Sequence, residues 1–264
     1  MPTMKQEEWS KPMYLNTKGL VLRTTAYNDA DSLLSLLTPN YGKITVKARG
    51  LRRKNSPLIA PCQLLAYGEY TIFEYRGMYT INEAHSIELF SALRKDLQKL
   101  SLGTYFAQAA ETISQEDLPN PELLSLVLNC LHGLAKLELP EQQVKAVFEL
   151  RSACLAGYEP DLQGCHGCGC ETPDRFDLSE GRLECSKCRD PLSSGLRMPL
   201  TPSMLDTIRY ICLCDSRRLF SFSASRETLE QLSYLSESYL STQLERGFST
   251  LDFYKSLLIP NNII

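Results

Sequence analysis

The chain has 264 residues, of which 43% are hydrophobic and 22% are charged, and its formal net charge is −3. This composition excludes a wholly disordered chain, a collagen and a coiled-coil rod. No stretch approaches the roughly 18 uncharged apolar residues of a membrane span, and residues 1–11 lack the basic-then-apolar order of a secretory signal. We therefore expect a cytoplasmic protein of one to three domains, with no membrane partner.

After a polar N-terminal extension over residues 1–12, the sequence to residue 89 has the short apolar runs and turn signals of β-strands. Five strands are predicted, over residues 17–27, 32–38, 43–51, 65–75 and 78–89. Arg76 and Gly77 predict a tight hairpin between the last two strands. Because five closely spaced strands cannot bury both faces as an open sheet, we expect a small barrel of the OB type. A bent SH3-like barrel satisfies the same pattern.

From residue 90 onwards the apolar spacing becomes helical. Apolar side chains recur from Phe90 to Ile113, Asn120 and Pro121 predict the start of a second helix, and Pro140 precedes a third. The second and third helices are predicted to continue to about residues 137 and 157, and three more follow over residues 202–213, 226–247 and 251–258.

These elements predict an α+β protein in which an inserted cysteine-rich segment interrupts a helical domain. The predicted parts are an OB-type barrel over residues 13–89, a helical domain over 90–160 and 196–264, and a four-cysteine zinc module over 161–195.

Half of the ten cysteines lie within 24 residues of the sequence. Cys165-x2-Cys168 and Cys185-x2-Cys188 are separated by 16 residues, a spacing typical of a four-cysteine zinc site. We therefore predict one structural Zn²⁺ held by four thiolates, with no open position for catalysis. Cys170 competes with Cys168 as a ligand, and a set of free or redox-active thiols is the alternative interpretation.

Residues 41–55 contain six basic side chains and no acidic one. Three of them share one face of the predicted third strand, and three fill the loop that follows. A basic strand face that runs into a basic loop on a small barrel is typical of a surface that follows a nucleic-acid backbone. The predicted DNA-binding residues are Lys43, Lys47, Arg49, Arg52, Arg53 and Lys54. The alternative is a solvated surface without a ligand.

Four aromatic residues of the predicted strands, Tyr67, Phe73, Tyr75 and Tyr79, either pack in the core or offer faces on which bases stack. The sequence has no phosphate-binding loop and no dinucleotide-binding motif, and its three histidines form no legible nucleophile–base pair. Asp29 and Asp31 are interpreted as residues that cap or solvate a loop, and not as a metal-binding pair. We therefore expect a binding protein and not an enzyme.

The barrel, the helical body and the zinc module together resemble the bacterial RecO family of DNA repair and recombination mediators, over about residues 13–260. The most specific segments are residues 18–22, 27–31 and 42–50, and residues 157–160 leading into the cysteine pairs. Asn28, where the family commonly has an acidic residue, and the additional Cys170 depart from the family pattern.

The resemblance implies binding of single- and double-stranded DNA and annealing of complementary strands without nucleotide hydrolysis. It also implies contacts with the C-terminal tail of single-stranded DNA-binding protein (SSB) and with RecR, so that RecA can replace SSB on the strand. A nucleoid-associated location in the bacterial cytoplasm follows from the same resemblance. The alternative is a zinc-ribbon and OB-fold interaction protein of transcription or RNA handling.

Overall fold

The structure, a computed structural model, describes residues 13–188 and 195–259. The predicted N-terminal extension over residues 1–12, part of the predicted zinc module (189–194) and residues 260–264 lie outside the described residues. The chain divides into two compact units between Ser125 and Leu126.

The first unit contains a closed five-stranded barrel. Its strands are β1 (Met13–Ala26), β2 (Ser32–Thr38), β3 (Gly42–Ala48), β4 (Tyr67–Tyr75) and β5 (Met78–Glu88). They are hydrogen-bonded in the order β1-β2-β3-β5-β4, and β3 pairs with β5 in parallel while the other pairs are antiparallel. A register shift between Val21 and Arg23 lets the long β1 pair with β4 and then with β2. The predicted OB-type barrel is confirmed.

Alternation along the strands fills the barrel interior. In β3, Ile44, Val46 and Ala48 are fully buried, as the sequence pattern predicted. The strand ends three residues before the predicted position at residue 51, because Gly50 adopts a left-handed conformation with φ of 67° and starts a turn. Arg76 and Gly77 both have positive φ, at 51° and 73°, which confirms the predicted tight hairpin.

The first helix of the chain, α1 (Leu97–Ile113), follows a single 3-10 turn at Leu93–Lys95 and belongs to the same unit as the barrel. Its first turn is capped by Asp96, whose carboxylate accepts hydrogen bonds from two backbone N–H groups. Near the other end, Glu111 accepts hydrogen bonds from Arg23 Nε at 2.9 Å and from Ser35 Oγ at 2.6 Å. The predicted domain boundary after residue 89 marks the change from strand to helix, whereas the compact unit continues beyond α1.

Helices dominate the second unit, and all the predicted helices are present. They are α2 (Pro121–Ala135), within which the division between the units falls, α3 (Glu141–Leu155), α4 (Pro202–Leu213), α5 (Arg226–Gln243) and α6 (Ser249–Leu258). Side chains of Asn120, Thr201 and Ser225 cap the starts of α2, α4 and α5. α5 ends before the predicted residue 247 because Glu245 has a φ of 51°, which interrupts the helix.

A small sheet lies between α3 and α4 in the sequence, as predicted for the inserted module. Its strands β6 (Asp161–Cys165), β7 (Arg175–Asp177), β8 (Arg182–Glu184) and β9 (Arg197–Pro199) have the order β6-β8-β7-β9. Phe176 in β7 is fully buried and meets the ring of Tyr239 in α5 edge-on, with centroids 5.2 Å apart. This aromatic contact anchors the small sheet to the helices of its own unit.

Candidate nucleic-acid interface and metal centre

The loop that follows β3 carries four of the six predicted DNA-binding residues, and we call residues 49–54 the basic loop. Arg49, Arg52, Arg53 and Lys54 are all exposed. No carboxylate among the described residues forms an ion pair with any of the four. Arg52 Nη1 donates to the backbone oxygen of Asn28 at 2.7 Å, which leaves its other N–H groups available. The basic loop can therefore meet an anionic backbone with four charges.

Residues 27–31 hold the basic loop in place. Asp31 Oδ1 accepts a hydrogen bond from Gly50 N at 2.8 Å, and the backbone N–H of Arg52 donates to the oxygen of Ala30 at 2.9 Å. Asn28 Oδ1 in turn accepts from the backbone N–H of Asp31 at 2.7 Å. The hydrogen bond from Gly50 and the neighbouring Lys47 ammonium lower the pKa of Asp31 to about 2. The predicted loop-capping role is thus confirmed for Asp31, while Asp29 is exposed.

The other two predicted DNA-binding residues are lysines of β3 that already contact carboxylates. Lys47 Nζ lies 2.9 Å from Asp31 Oδ2, and 29% of its side chain is exposed. Lys43 Nζ lies 3.6 Å from Glu116 Oε1 with only 16% of the side chain exposed, and it donates to the backbone oxygen of Glu111 at 3.1 Å. The structure thus divides the predicted set into four unpaired cations and two paired ones. The assignment of all six to DNA stays a prediction.

The aromatic residues of the strands fall into two groups, one that packs inside the barrel and one that lies on its outer face. Tyr79 packs against the buried cluster inside the barrel. Phe73 and Tyr75 lie on the outer face of β4, where their rings are stacked with centroids 6.5 Å apart. Tyr14 in β1 pairs with Phe73 across the strands. Sequence reasoning missed Tyr14 because the predicted first strand started at residue 17, three residues beyond it. The available signal was the alternation of exposed and buried positions, in which Tyr14 is exposed and the next residue, Leu15, is buried.

In the second unit, the structure brings together the four cysteines that the spacing singled out. The Sγ atoms of Cys165, Cys168, Cys185 and Cys188 all lie within 4.8 Å of one another, and those of Cys168 and Cys185 are 4.0 Å apart. A tetrahedral site with Zn–S bonds of about 2.3 Å has sulfurs about 3.8 Å apart, so the cluster has the size of a metal site. Gly167 permits this approach, because a Cβ there would lie 2.9 Å from Cys188 Cβ.

The electrostatics of the cluster also fit a cation. Burial disfavours the Cys165 thiolate, but hydrogen bonds from the backbone N–H groups of Cys185, Cys168 and Gly167 outweigh it and lower the pKa of Cys165 to about 6. Burial, followed by hydrogen bonds with Cys165 and Cys168, raises the pKa of Cys185. Four thiolates at this distance repel one another, and a divalent ion removes that repulsion. The four cysteines could therefore hold a metal ion.

Cys170 lies beside the cluster and not in it. Its backbone oxygen accepts a hydrogen bond from Cys165 N at 2.8 Å, which tightens the first knuckle. Its Sγ lies 3.5 Å from Thr172 Oγ1 and does not belong to the group of four mutually close sulfurs. The geometry therefore favours Cys168 over Cys170 as the fourth ligand.

Elsewhere the described residues offer no comparable chemistry. No other group of three or more histidine, cysteine, aspartate or glutamate side chains in the described ranges is arranged to hold a metal ion. Of the helices that the structure describes, none is both long enough and apolar enough to cross a membrane.

Comparisons with known proteins cover both units. Residues 13–90 match the family model "Recombination protein O N terminal", and residues 94–252 match "Recombination protein O C terminal". The chain is 33% identical over 246 residues to the DNA repair protein RecO of Acetivibrio thermocellus, covering 92% of this chain and 97% of that protein. It is 29% identical to the RecO protein of Alkaliphilus metalliredigens, covering 93% of this chain and 100% of that protein.

A third relative, the DNA repair protein RecO of Listeria innocua, is 29% identical over 84% of this chain and 86% of its own length. The matches span the barrel, the helices and the cysteine module together, which agrees with the resemblance seen in the sequence. The chain belongs to the RecO family of DNA repair proteins.

Proposed function

We propose that the protein is a recombination mediator that binds single- and double-stranded DNA and anneals complementary strands. With SSB and RecR, it helps RecA to load onto SSB-coated single strands. The observation that carries the DNA-binding part is the basic loop: four exposed cations, unpaired among the described residues and held in place by Asp31. Membership of the RecO family supports the annealing and mediator parts.

The proposed chemistry is electrostatic. Cations that contact phosphates release the counterions condensed on the strand, and this release favours binding at low salt. A protein that neutralises part of the charge of one strand also lowers the repulsion of its complement, so that base pairing can proceed. Because strand pairing is itself favourable, the proposal requires no nucleotide hydrolysis and treats the protein as a non-enzyme that acts on nucleoid DNA in the cytoplasm.

Zinc is the proposed occupant of the four-cysteine cluster. A four-thiolate tetrahedron is typical of structural Zn²⁺ sites, and the sulfur positions leave no coordination place for a substrate. The ion would order the two knuckles of a module whose sheet contains three strands of only three residues each. Zinc-finger peptides gain about 10–16 kcal/mol of apparent binding energy in this way.

The test is annealing of complementary strands, bare or precoated with the cognate SSB, across a salt series and without ATP. We expect annealing on both kinds of strand, weakening as salt rises. If only bare strands are annealed, the SSB partnership is wrong. If a folded, zinc-loaded protein anneals neither kind of strand, or if it prefers RNA, the result favours the transcription or RNA-handling alternative.

A matched pair of variants connects the activity to the basic loop. Arg53→Gln/Lys54→Gln removes two exposed cations from the loop, whereas Lys18→Gln/Arg226→Gln removes two exposed cations that are paired with Glu69 and Glu230. We expect the first pair to weaken annealing and the second to leave it unchanged. Equal effects of both pairs would show that only the total charge matters.

A further inference from the structure

The outer face of the barrel carries a row of aromatic rings beside the basic loop. Tyr14 in β1 lies opposite Phe73 in β4, with ring centroids 5.4 Å apart, and Tyr75 stacks beside Phe73. Tyr14 is 60% exposed although its ring is large and apolar. Phe73 and Tyr75 are half-buried, so Tyr14 is the exposed member of the row. An exposed aromatic ring that adjoins other rings is typical of a binding surface, because only a partner can bury it.

Tyr14 and Phe73 line a groove of about 470 Å³ that Arg49 of the basic loop also lines, and Tyr75 extends the row next to it through its contact with Phe73. Besides Tyr14, Phe73 and Arg49, its wall consists of small polar and apolar residues: Ser56, Pro57, Leu58, Thr80, Ile81 and Asn82. Arg76 adds a second cation at one end of the row, with its guanidinium carbon 5.0 Å from the centroid of the Tyr75 ring. The groove therefore combines flat faces with positive charge.

A second cavity on the same barrel differs from the groove, because carboxylates contribute to its lining. That cavity, of about 610 Å³, is lined by Glu69 and Glu83 together with Lys18 and His85. Two carboxylates repel a polyanion, and Lys18 is already 3.7 Å from Glu69. No carboxylate lines the groove beside Tyr14 among the described residues. Of the two cavities, the aromatic groove is therefore the more favourable one for a polyanion.

We infer that Tyr14, Phe73 and Tyr75, with Arg49 at the rim, form a base-stacking site that selects single-stranded over double-stranded nucleic acid. The inference rests on the proposed DNA binding and deepens it by naming the residues that read the bases. In a duplex every base is already stacked and its face is covered by its neighbours, so a protein ring must first unstack a base step there, whereas the bases of an unpaired strand are accessible. Phosphate contacts by the basic loop, by contrast, serve both forms.

The test compares three fluorescent probes by anisotropy with the full-length, zinc-loaded protein: a 20-nucleotide oligothymidine, a 20-unit abasic strand and a 20-base-pair duplex. The abasic strand has the phosphates without the bases. We expect Tyr14→Leu and Tyr75→Leu each to weaken oligothymidine binding by about 5- to 150-fold, the range for one base–aromatic stack, and to leave the other two probes unchanged.

Two controls separate stacking from folding and from charge. Tyr14→Phe keeps the ring and is expected to bind like the unaltered protein, and Tyr234→Leu changes a tyrosine of the second unit that is 63% exposed and should have no effect. Arg49→Gln is expected to weaken the binding of all three probes, because each of them carries phosphates. The stacking site is overturned if the unaltered protein binds oligothymidine and the abasic strand equally well. It is also overturned if Tyr14→Leu loses the same factor in affinity for all three probes. Binding to none of the probes overturns the proposed function as well.

Discussion

Asp31 forms an ion pair with Lys47, in which the carboxylate Oδ2 lies 2.9 Å from the ammonium Nζ. The other carboxylate oxygen of Asp31 accepts the backbone hydrogen bond from Gly50. One side chain therefore has two opposed effects on the candidate DNA surface. It neutralises Lys47 of β3 by forming an ion pair with it. It also fixes the start of the basic loop, where four other cations are exposed.

Replacing Asp31 separates these effects. Asp31→Asn keeps an oxygen that can accept from Gly50 N–H but removes the charge next to Lys47, so we expect tighter single-strand binding and a salt slope steeper by about 0.7, the value for one further phosphate contact. Asp31→Ala removes the acceptor as well, and we expect weaker binding because the loop loses its anchor. Both are measured by anisotropy titrations at several salt concentrations; an unchanged slope in Asp31→Asn would contradict the first expectation.

The low pKa of Asp31 also predicts how stability depends on pH. Its pKa in the folded protein is about 2, below the ordinary value of 3.8, so the folded state favours the ionised form. The resulting stabilisation is fully present above the ordinary value and is lost as pH falls towards 2. In urea unfolding, the difference between the unaltered protein and Asp31→Asn should be constant from pH 5 to 7 and shrink below about pH 4. A difference that grows on acidification would refute this assignment.

The parts of the fold that local patterns determine could be predicted from the sequence. Alternation in β3 gave the buried face of Ile44, Val46 and Ala48, and the Arg76-Gly77 pair gave the hairpin, because each depends on neighbours in the chain. The spacing of the two cysteine pairs predicted the sulfur cluster for a related reason. Each knuckle is a local structure, and the hairpin between them needs only a short chain.

The pairing of the lysines could not be predicted in this way. Glu116, which contacts Lys43, lies 73 positions away in the sequence. Glu111, which connects α1 to Arg23 and Ser35, lies 88 and 76 positions from them. An absence of acidic residues between positions 41 and 55 therefore says nothing about acidic neighbours in space. The same limitation concealed Tyr14, whose partner Phe73 is recognised only when β1 and β4 are in register.

The division of the six basic residues gives a numerical prediction for DNA binding. If only the four exposed cations contact phosphates, the single-strand salt slope is about −2.8, whereas contacts from all six give about −4.2. Lys43→Gln should therefore leave the slope unchanged, and Arg53→Gln/Lys54→Gln should reduce its magnitude by about 1.4. The slope is measured as the dependence of log K on log salt between 50 and 200 mM; a loss in Lys43→Gln equal to that of an exposed residue would restore the six-residue set.

The helical unit contains a buried ion pair whose removal should be costly. Lys145 Nζ in α3 lies 2.9 Å from Glu149 Oε1 and 2.9 Å from Glu237 Oε2, and the Glu149 side chain is fully buried. Lys145→Met removes the ammonium and leaves a buried carboxyl group, so we expect a loss of about 3–5 kcal/mol in unfolding free energy. Lys145→Met/Glu149→Leu should recover most of the loss, because Glu237 is also paired with Lys255. Urea unfolding of both variants tests the pairing; a single variant as stable as the double one would contradict it.

The fifth cysteine gives the sharpest test of the metal centre. Cys168 lies in the group of four mutually close sulfurs, whereas the Cys170 sulfur lies outside it and contributes only its backbone oxygen to the first knuckle. We expect Cys170→Ser to retain one zinc per chain after chelator challenge and Cys168→Ser to lose it, as measured by elemental analysis of the purified proteins. The loss should also expose the remaining thiols to alkylation, because thiolates bound to zinc react slowly. Zinc retained in Cys168→Ser and lost in Cys170→Ser would instead identify Cys170 as the ligand, and zinc absent from the unaltered protein would leave the cluster as a set of thiols.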